Sequence, residues 1–400
     1  MLAVLRRRDF ALLWFGGLIS IAGDWVLYAA LPYFVYERTG STVATAGMIV
    51  AELAPGVVLG TVAGVFVDRW DRKRVLVIAN VLQAAAVSLL LLVPDGGWIG
   101  LVYVVAVAQS AVAAFASPAE SALIPALVVD ADLIAANALN ALNNRLARLV
   151  GLPVGGFLLA ALGLRGVVVA DCATFVLAAV LIAPVASSRA ERPPRPSAAV
   201  SALAAFSHEW VDGLALVRRE RTIAVIFVVL GLMTFGGTML DPLTAPWVRD
   251  VLDGGPDVYA TLLTVHAASG IVGTLLVGRF GRGLSPRVLM GWSSVAAGLL
   301  LAVKYNVPSI PLALALTVPG GITSVASAVG VETLVQRSIR PEYRGRAFGA
   351  LGASGALLSL LGAMTGGALA EVVGIVPMLT VAAALTVLAG VVVLRAFESQ

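Results

Sequence analysis

Apolar residues along this chain come in long unbroken runs, separated by short polar clusters. Runs at about 10–36, 43–67, 75–93, 99–118, 136–161, 167–186, 222–247, 258–278, 287–305, 309–331, 347–370 and 376–396 each approach the length that crosses a bilayer. The pattern predicts twelve membrane-spanning helices. The first run is too long for a signal-peptide core and lacks a small-residue cleavage site, so it is expected to stay as span 1. The longest polar stretch, about 187–221, opens as a Pro/Arg linker, Ser187-Ser-Arg-Ala-Glu-Arg-Pro-Pro-Arg-Pro196. Within it Phe206, Trp210, Leu214 and Val217 recur at helical spacing, which predicts an amphipathic helix lying on the membrane surface. The chain then divides into residues 1–186, a linker at 187–221 and residues 222–400, with six spans on either side.

Composition sharpens the class. Of 400 residues, 60% are hydrophobic and 12% charged. A soluble domain carries about 25% charged residues, so a soluble enzyme, a disordered chain and a coiled coil are excluded. An outer-membrane barrel would alternate polar and apolar residues and is excluded too. The one cysteine, Cys172, rules out a disulfide framework and a multi-cysteine metal site. A net charge of +4 is too small to suggest nucleic acid. Its distribution says more. With the N-terminus inside, 21 basic residues outside the spans face the cytoplasm and four, Arg38, Arg165, Arg249 and Lys304, face out. That bias predicts both termini in the cytoplasm.

The two sets of spans repeat weakly. Gly151-Leu-Pro153-Val-Gly155-Gly156 in span 5 returns 211 residues later as Gly362-Ala-Met-Thr-Gly366-Gly367 in span 11. Asp68-Arg69-Trp-Asp71-Arg72 has a counterpart 210 residues on, Gly278-Arg279-Phe-Gly-Arg282, and Glu120 matches Glu332 at an offset of 212. Repeated halves around a site near the midplane are an architecture of secondary transporters.

The segment Gly64-Val-Phe-Val-Asp68-Arg69-Trp-Asp71-Arg72-Lys73-Arg74 resembles the loop signature of the major facilitator superfamily, with Asp71 where many members carry glycine. Gly23-Asp24, Ser117-Pro118-Ala119 with Ile124-Pro125, and Ala136-Asn137-Ala138-Leu139 are similar to its macrolide-efflux and enterobactin-exporter branch. The resemblance covers the whole chain. It implies an all-α membrane protein of two six-helix halves related by a pseudo-twofold. The implied function is export of a hydrophobic or amphipathic molecule by proton-coupled alternating access in a bacterial inner membrane. An uptake carrier or lipid flippase on the same fold is the alternative inside transport; a non-transporting receptor or assembly partner is the alternative outside it. Two departures stand out. Pro153 falls one residue later than in the antiporter motif, and span 4 carries Gln109 where many proton-coupled relatives have a mid-span arginine.

Charges inside spans are the sharpest candidates, because an uncompensated charge at mid-bilayer costs several kcal/mol or more. Asp24 and Arg148 fall near the middle of spans 1 and 5, which suggests that they interact beside a cavity, or as a structural ion pair that sets helix register. Trp25 and Tyr28 flank Asp24 and can bind an amphipathic or cationic substrate. Glu52 in span 2 lines the cavity or the domain seam. Asp171 reads as a satisfied interfacial residue, since the resemblance makes span 6 peripheral. Asp241 and His266 in the second half can pass a proton, histidine titrating near physiological pH, though a lone histidine is commonly structural.

Asp68, Arg69, Arg72 and Glu120, with Arg279, Arg282 and Glu332 in the repeat, are expected to form a cytoplasmic gate in which Glu120 reaches the Arg69/Arg72 loop and Glu332 reaches Arg279 or Arg282. The basic residues serve equally well as anchors under the positive-inside rule. Gly151, Pro153, Gly155, Gly156, Gly362, Gly366 and Gly367 are expected to form a flexible seam between halves, or ordinary small-residue helix packing. No phosphate-binding Gly-x-x-x-x-Gly-Lys signature and no nucleophile–base arrangement is present, so no catalysis and no cofactor are expected. The expected partners are a small-molecule substrate, protons and the lipid bilayer, with the chain acting as a monomer.

Overall fold

A computed structural model describes residues 2–93, 98–186, 221–338 and 344–396. The amphipathic segment expected near 202–217, with His208, lies outside them. The α-helices are α1 (Arg8–Thr39), α2 (Thr42–Val67), α3 (Arg72–Ser88), α4 (Gly100–Leu127), α5 (Leu133–Ile182), α6 (Arg221–Asp250), α7 (Pro256–Phe280), α8 (Pro286–Asn306), α9 (Ile310–Ser338), α10 (Arg344–Val373) and α11 (Ile375–Ala396). Among the described residues, 11 helices are long and apolar enough to cross a membrane. Large apolar side chains such as Val58, Phe157, Val180, Leu275 and Val372 point outward, each more than half exposed. Lipid rather than water suits that surface.

Local signals set the helix ends. Asp71, the residue that stands in for a signature glycine, caps α3: its side chain accepts from the Arg74 amide at 3.1 Å. Ser285 caps α8 in the same way, with Pro286 at the first helical position. Internal prolines at 32, 55, 118, 125, 153, 242, 246 and 319 are carried within helices, as membrane helices tolerate.

The expected spans 5 and 6 are a single 50-residue run, α5, interrupted only at Gly163. At about 1.5 Å per residue an unbroken helix of that length would reach about 75 Å, far beyond a bilayer core of about 30 Å. Gly163 has φ 64° and ψ −168°, a conformation nearly restricted to glycine, and it divides α5 into limbs at 133–162 and 164–182.

The chain forms two compact units, and they differ from the division expected at the linker. One holds residues up to Val35 and the chain from Ala51 to the linker; the other takes in Tyr36–Val50 along with α6–α11. In the first unit, α3 packs on α4 and α5. Phe10, Leu13 and Trp14 of α1, Leu76 of α3, Leu123 and Ile124 of α4, and Leu139 and Ile182 of α5 form one buried cluster. In the second unit, α8 packs on α9 and α11, α6 on α10 and α11, and α7 on α9. Small residues bring these helices together: a Cβ at Gly298 would sit 2.7 Å from the Ala383 carbonyl, and one at Gly390 would sit 2.6 Å from that of Gly291.

Candidate functional site

In the first unit, α1 lies tightly against both limbs of α5. A Cβ at Gly151 would sit 2.5 Å from the Ala22 carbonyl and 2.6 Å from Trp25 Cβ, and one at Gly155 would sit 2.8 Å from Val26 Cα. This contact runs alongside Asp24. The repeat in α10 behaves alike, with Gly362 against the Phe235 carbonyl at 2.6 Å and Gly366 against that of Met239 at 2.7 Å, both on α6. The glycines expected to form a seam between halves therefore close a helix pair inside each unit. Gly156 is buried and Pro153 half-buried in the same stretch of α5. Gly367 is the exception, facing Thr42 and Ala46 at the start of α2. Backbone-to-backbone approach requires a missing side chain, whichever partner lies opposite.

Asp24 and Arg148 do not pair as expected. Among the described residues no ion pair joins them within 4.0 Å. Arg148 lies over the Trp25 ring, 4.8 Å from its centroid, and its buried Nε has no hydrogen-bond partner. The indole face attracts the guanidinium that a carboxylate was expected to hold. Trp25 meets Tyr28 edge-on at 5.1 Å. Asp24 is half-buried on α1, and Glu52 half-buried on α2. Asp171, expected to be a satisfied interfacial group, is fully buried, and its Oδ2 has no hydrogen-bond partner.

The helix ends of the first unit around Arg72 and Lys73 are knitted by backbone carbonyls, with two aspartates beside them. Arg72 Nη1 donates to the Ala122 carbonyl at 2.9 Å and Lys73 Nζ to that of Ala183 at 3.2 Å. Asp9 accepts from the Ala186 amide at 3.1 Å, and Arg7 pairs with Asp132 at 3.1 Å. Arg72 thus reaches α4 as expected, but two residues away from Glu120. Glu120 turns instead toward α1, where a Cβ at Gly17 would sit 3.1 Å from its Oε1 and 3.4 Å from Asn143 Nδ2. Asn143 is committed to the Trp14 carbonyl at 2.9 Å. Asp68 and Arg69 are exposed.

In the repeat, exposed Arg279 stacks over its neighbour Phe280 at 5.5 Å. Glu332 lines a cavity of about 330 Å³ between α6, α9 and α10, with Phe227, Thr234, Ser354 and Leu358. No Glu332–Arg279 ion pair occurs among the described residues, because the glutamate faces this cavity. The Arg282 side chain lies outside them.

A set of contacts not anticipated from sequence holds the α1–α2 turn, where Gly40 adopts φ 61°. The Tyr36 hydroxyl donates to the Asp250 carboxylate at the end of α6. Arg249 Nη1 donates to the Tyr36 carbonyl at 3.1 Å and lies over the Tyr36 ring at 5.7 Å. Ser41 Oγ and the Val43 amide both donate to Glu371 of α10, the latter at 3.3 Å, and Thr42 Oγ1 donates to the Gly367 carbonyl at 2.7 Å. In sequence, Asp250 and Glu371 are isolated acids at helix ends, with nothing to mark their partners.

Deeper in the second unit, Lys304 of α8 is buried over the rings of Trp247 at 5.5 Å and Tyr305 at 5.2 Å. Tyr305 is itself buried and meets the Trp247 ring edge-on at 4.9 Å. His266 is half-buried on α7, and its carbonyl accepts from Ser269 at 3.0 Å. Among the described residues, no group of three or more His, Cys, Asp or Glu side chains gathers as a metal site would.

Comparison with known proteins follows from this arrangement. The sequence model described as Major Facilitator Superfamily matches residues 13–242 and 226–399. The chain is 27% identical over 379 residues to Macrolide efflux protein A of Streptococcus pyogenes, covering 92% of this chain and 91% of that one. It is 26% identical over 387 residues to the Multidrug efflux pump Tap of Mycobacterium bovis, covering 92% and 88%. The fold matches the crystal structure of the nucleoside transporter NupG with a TM-score of 0.78 at 12% identity, over 98% of this chain and 100% of that one. A bacterial homologue of the iron transporter ferroportin in its inward-facing state matches with a TM-score of 0.75 at 16% identity, over 98% and 99%.

Proposed function

Because the chain belongs to the major facilitator superfamily, we propose that it is a proton-coupled exporter of hydrophobic or amphipathic small molecules, working by alternating access. The two limbs of α5 count as separate crossings in this reading, which makes twelve, with both termini in the cytoplasm of a bacterial inner membrane.

The observation that carries the proposal is the set of ionisable groups inside membrane helices of the first unit. Asp24 is half-buried on α1, and the Arg148 guanidinium spreads over Trp25 beside it. Such groups are costly in lipid unless they are paired, protonated or wetted, and a water-accessible passage supplies the last two. Protonation of Asp24 is the coupling event. Trp25 and Tyr28 offer an aromatic face for an amphipathic substrate. The α1–α2 turn, bound to Asp250 and Glu371, acts as the outer gate. Hydrogen bonds of this kind contribute about 1–3 kcal/mol each, enough to hold a closed state and few enough to release in each turnover. The inner gate lies at the Asp68–Arg74 loop, where Arg72 grips α4. The names of the macrolide and multidrug efflux relatives support an apolar, bulky cargo and an outward direction.

Proteoliposomes loaded with erythromycin test the reading. Release is expected to accelerate when a pH gradient, acid outside, is imposed and to return to its rate without a gradient when an ionophore collapses it. A release rate that the pH gradient does not change, or no release with tight capture of a partner protein instead, contradicts it.

A further inference from the structure

The second unit encloses a cavity of about 330 Å³ whose chemistry is one-sided. Phe227, Gly231 and Thr234 line it along one face of α6, and Leu351, Gly355 and Leu358 along one face of α10, each set at helical spacing. Its floor is the core of the unit: Val335 of α9 belongs to the buried cluster, and Leu230 and Val331 pack against it. Its mouth is marked by Glu332 and Gly352, both exposed.

Among the described residues, Glu332 is the one charged side chain in the lining, and no hydrogen bond or ion pair engages its carboxylate. Thr234 and Ser354 are the other polar side chains on the wall. The glycines of α10 that reach this cavity differ from those further along the helix. A Cβ at Gly362 or Gly366 would collide with α6, whereas one at Gly352 or Gly355 would meet nothing within 4 Å. What the missing side chains leave at 352 and 355 is room inside the cavity rather than a helix contact.

A carboxylate set against apolar walls is costly unless a counter-charge or water meets it. A neutral apolar molecule would fit the walls and leave that charge unpaired. An anion would meet it with no basic side chain on the wall as offset. A divalent metal ion would want more oxygens than one carboxylate and two hydroxyls supply. An apolar cation satisfies both the walls and the glutamate. The volume lies at the lower end of ligand pockets, about 300–1,000 Å³, so it suits a compact molecule or one arm of a larger one.

We infer that this cavity is a binding site for organic cations, built by the second unit alone, in which an apolar body sits between α6 and α10 and Glu332 holds the positive group. Its use as a loading site for export rests on the transport reading above, which puts this end of α9 in the cytoplasm; the binding itself does not.

Equilibrium binding of tetraphenylphosphonium to the purified full chain tests the site, with tetraphenylborate, an anion of the same shape, as the contrast. The parent is expected to bind the cation, and Glu332→Gln to weaken that binding about tenfold or more, as loss of one charge partner in a pocket does. The same change is expected to leave tetraphenylborate no weaker. Asp257→Asn makes an equal change of charge at an exposed acid outside the cavity and is expected to bind the cation like the parent. Gly355→Leu keeps Glu332 and fills the room beside it, so it is expected to weaken the cation about tenfold as well; it carries the test if Glu332→Gln does not fold. No binding of the cation by the parent, or an affinity unmoved by Glu332→Gln or by Gly355→Leu, overturns the site. So does an equal loss of cation and anion in Glu332→Gln, or an equal loss of the cation in Asp257→Asn. Unmoved affinity with gradient-driven erythromycin release intact rejects the site and leaves proton-coupled export standing. Cation binding lost in both cavity variants, with erythromycin release that ignores the gradient, supports the site and rejects the coupling.

Discussion

A single hydroxyl closes the α1–α2 turn onto α6. Tyr36 donates to Asp250 while Arg249 holds the Tyr36 carbonyl, so one residue is fixed at two points. A hydrogen bond to a carboxylate contributes about 1.5–3 kcal/mol. Removing it with Tyr36→Phe shifts the balance of gate states about tenfold or more toward the open one. With Tyr28→Cys as reporter in a Cys172→Ser background, an impermeant thiol reagent added outside is expected to label the Tyr36→Phe protein about tenfold faster than its Tyr36 parent. Equal rates would remove Tyr36 from the gate. At this scale sequence marks candidates but not directions. Asp24 and Arg148 both fall mid-span, yet the azimuth that lays Arg148 over Trp25 is set by how the first limb of α5 rolls on α1. Asp171 was visible as an acid within a span. Its discount came from resemblance, which says nothing of a glycine opposite it on another helix.

The element that departs most from its expected form is α5. Two spans separated by a short loop at 162–166 were legible from the apolar runs, and the limbs fall within a few residues of them. A break confined to one residue was not, because turn chemistry here is a glycine among other glycines and only its backbone angles single it out. Gly163→Ala places a Cβ on a conformation that L-residues avoid, at a cost of about 1–3 kcal/mol. The expected outcome is a lower melting temperature in detergent for Gly163→Ala, with Gly60→Ala, a helical glycine whose Cβ would meet open space, melting like the parent. No difference between the two would mean that the reversal does not depend on Gly163. The glycine repeat shows the same division between what pattern tells and what packing decides. Its recurrence was plain in the sequence, while its partners, α1 for one copy and α6 for the other, depend on tertiary contacts.

Across the whole molecule, the superfamily assignment and the membrane helices were readable from hydropathy, arginine distribution and one loop signature. The allotment of Tyr36–Val50 to the second unit was not, because it arises from polar contacts to Asp250, Gly367 and Glu371 that are scattered over 335 residues of chain. Export coupled to protons requires that the two fluxes be linked through one conformational cycle. In proteoliposomes with a trapped pH dye and no imposed pH gradient, an outward gradient of erythromycin is expected to acidify the lumen for the wild-type chain and to leave the dye unchanged for Asp24→Asn. Erythromycin leaving wild-type vesicles with no change of internal pH, or equal acidification by Asp24→Asn, would contradict the account.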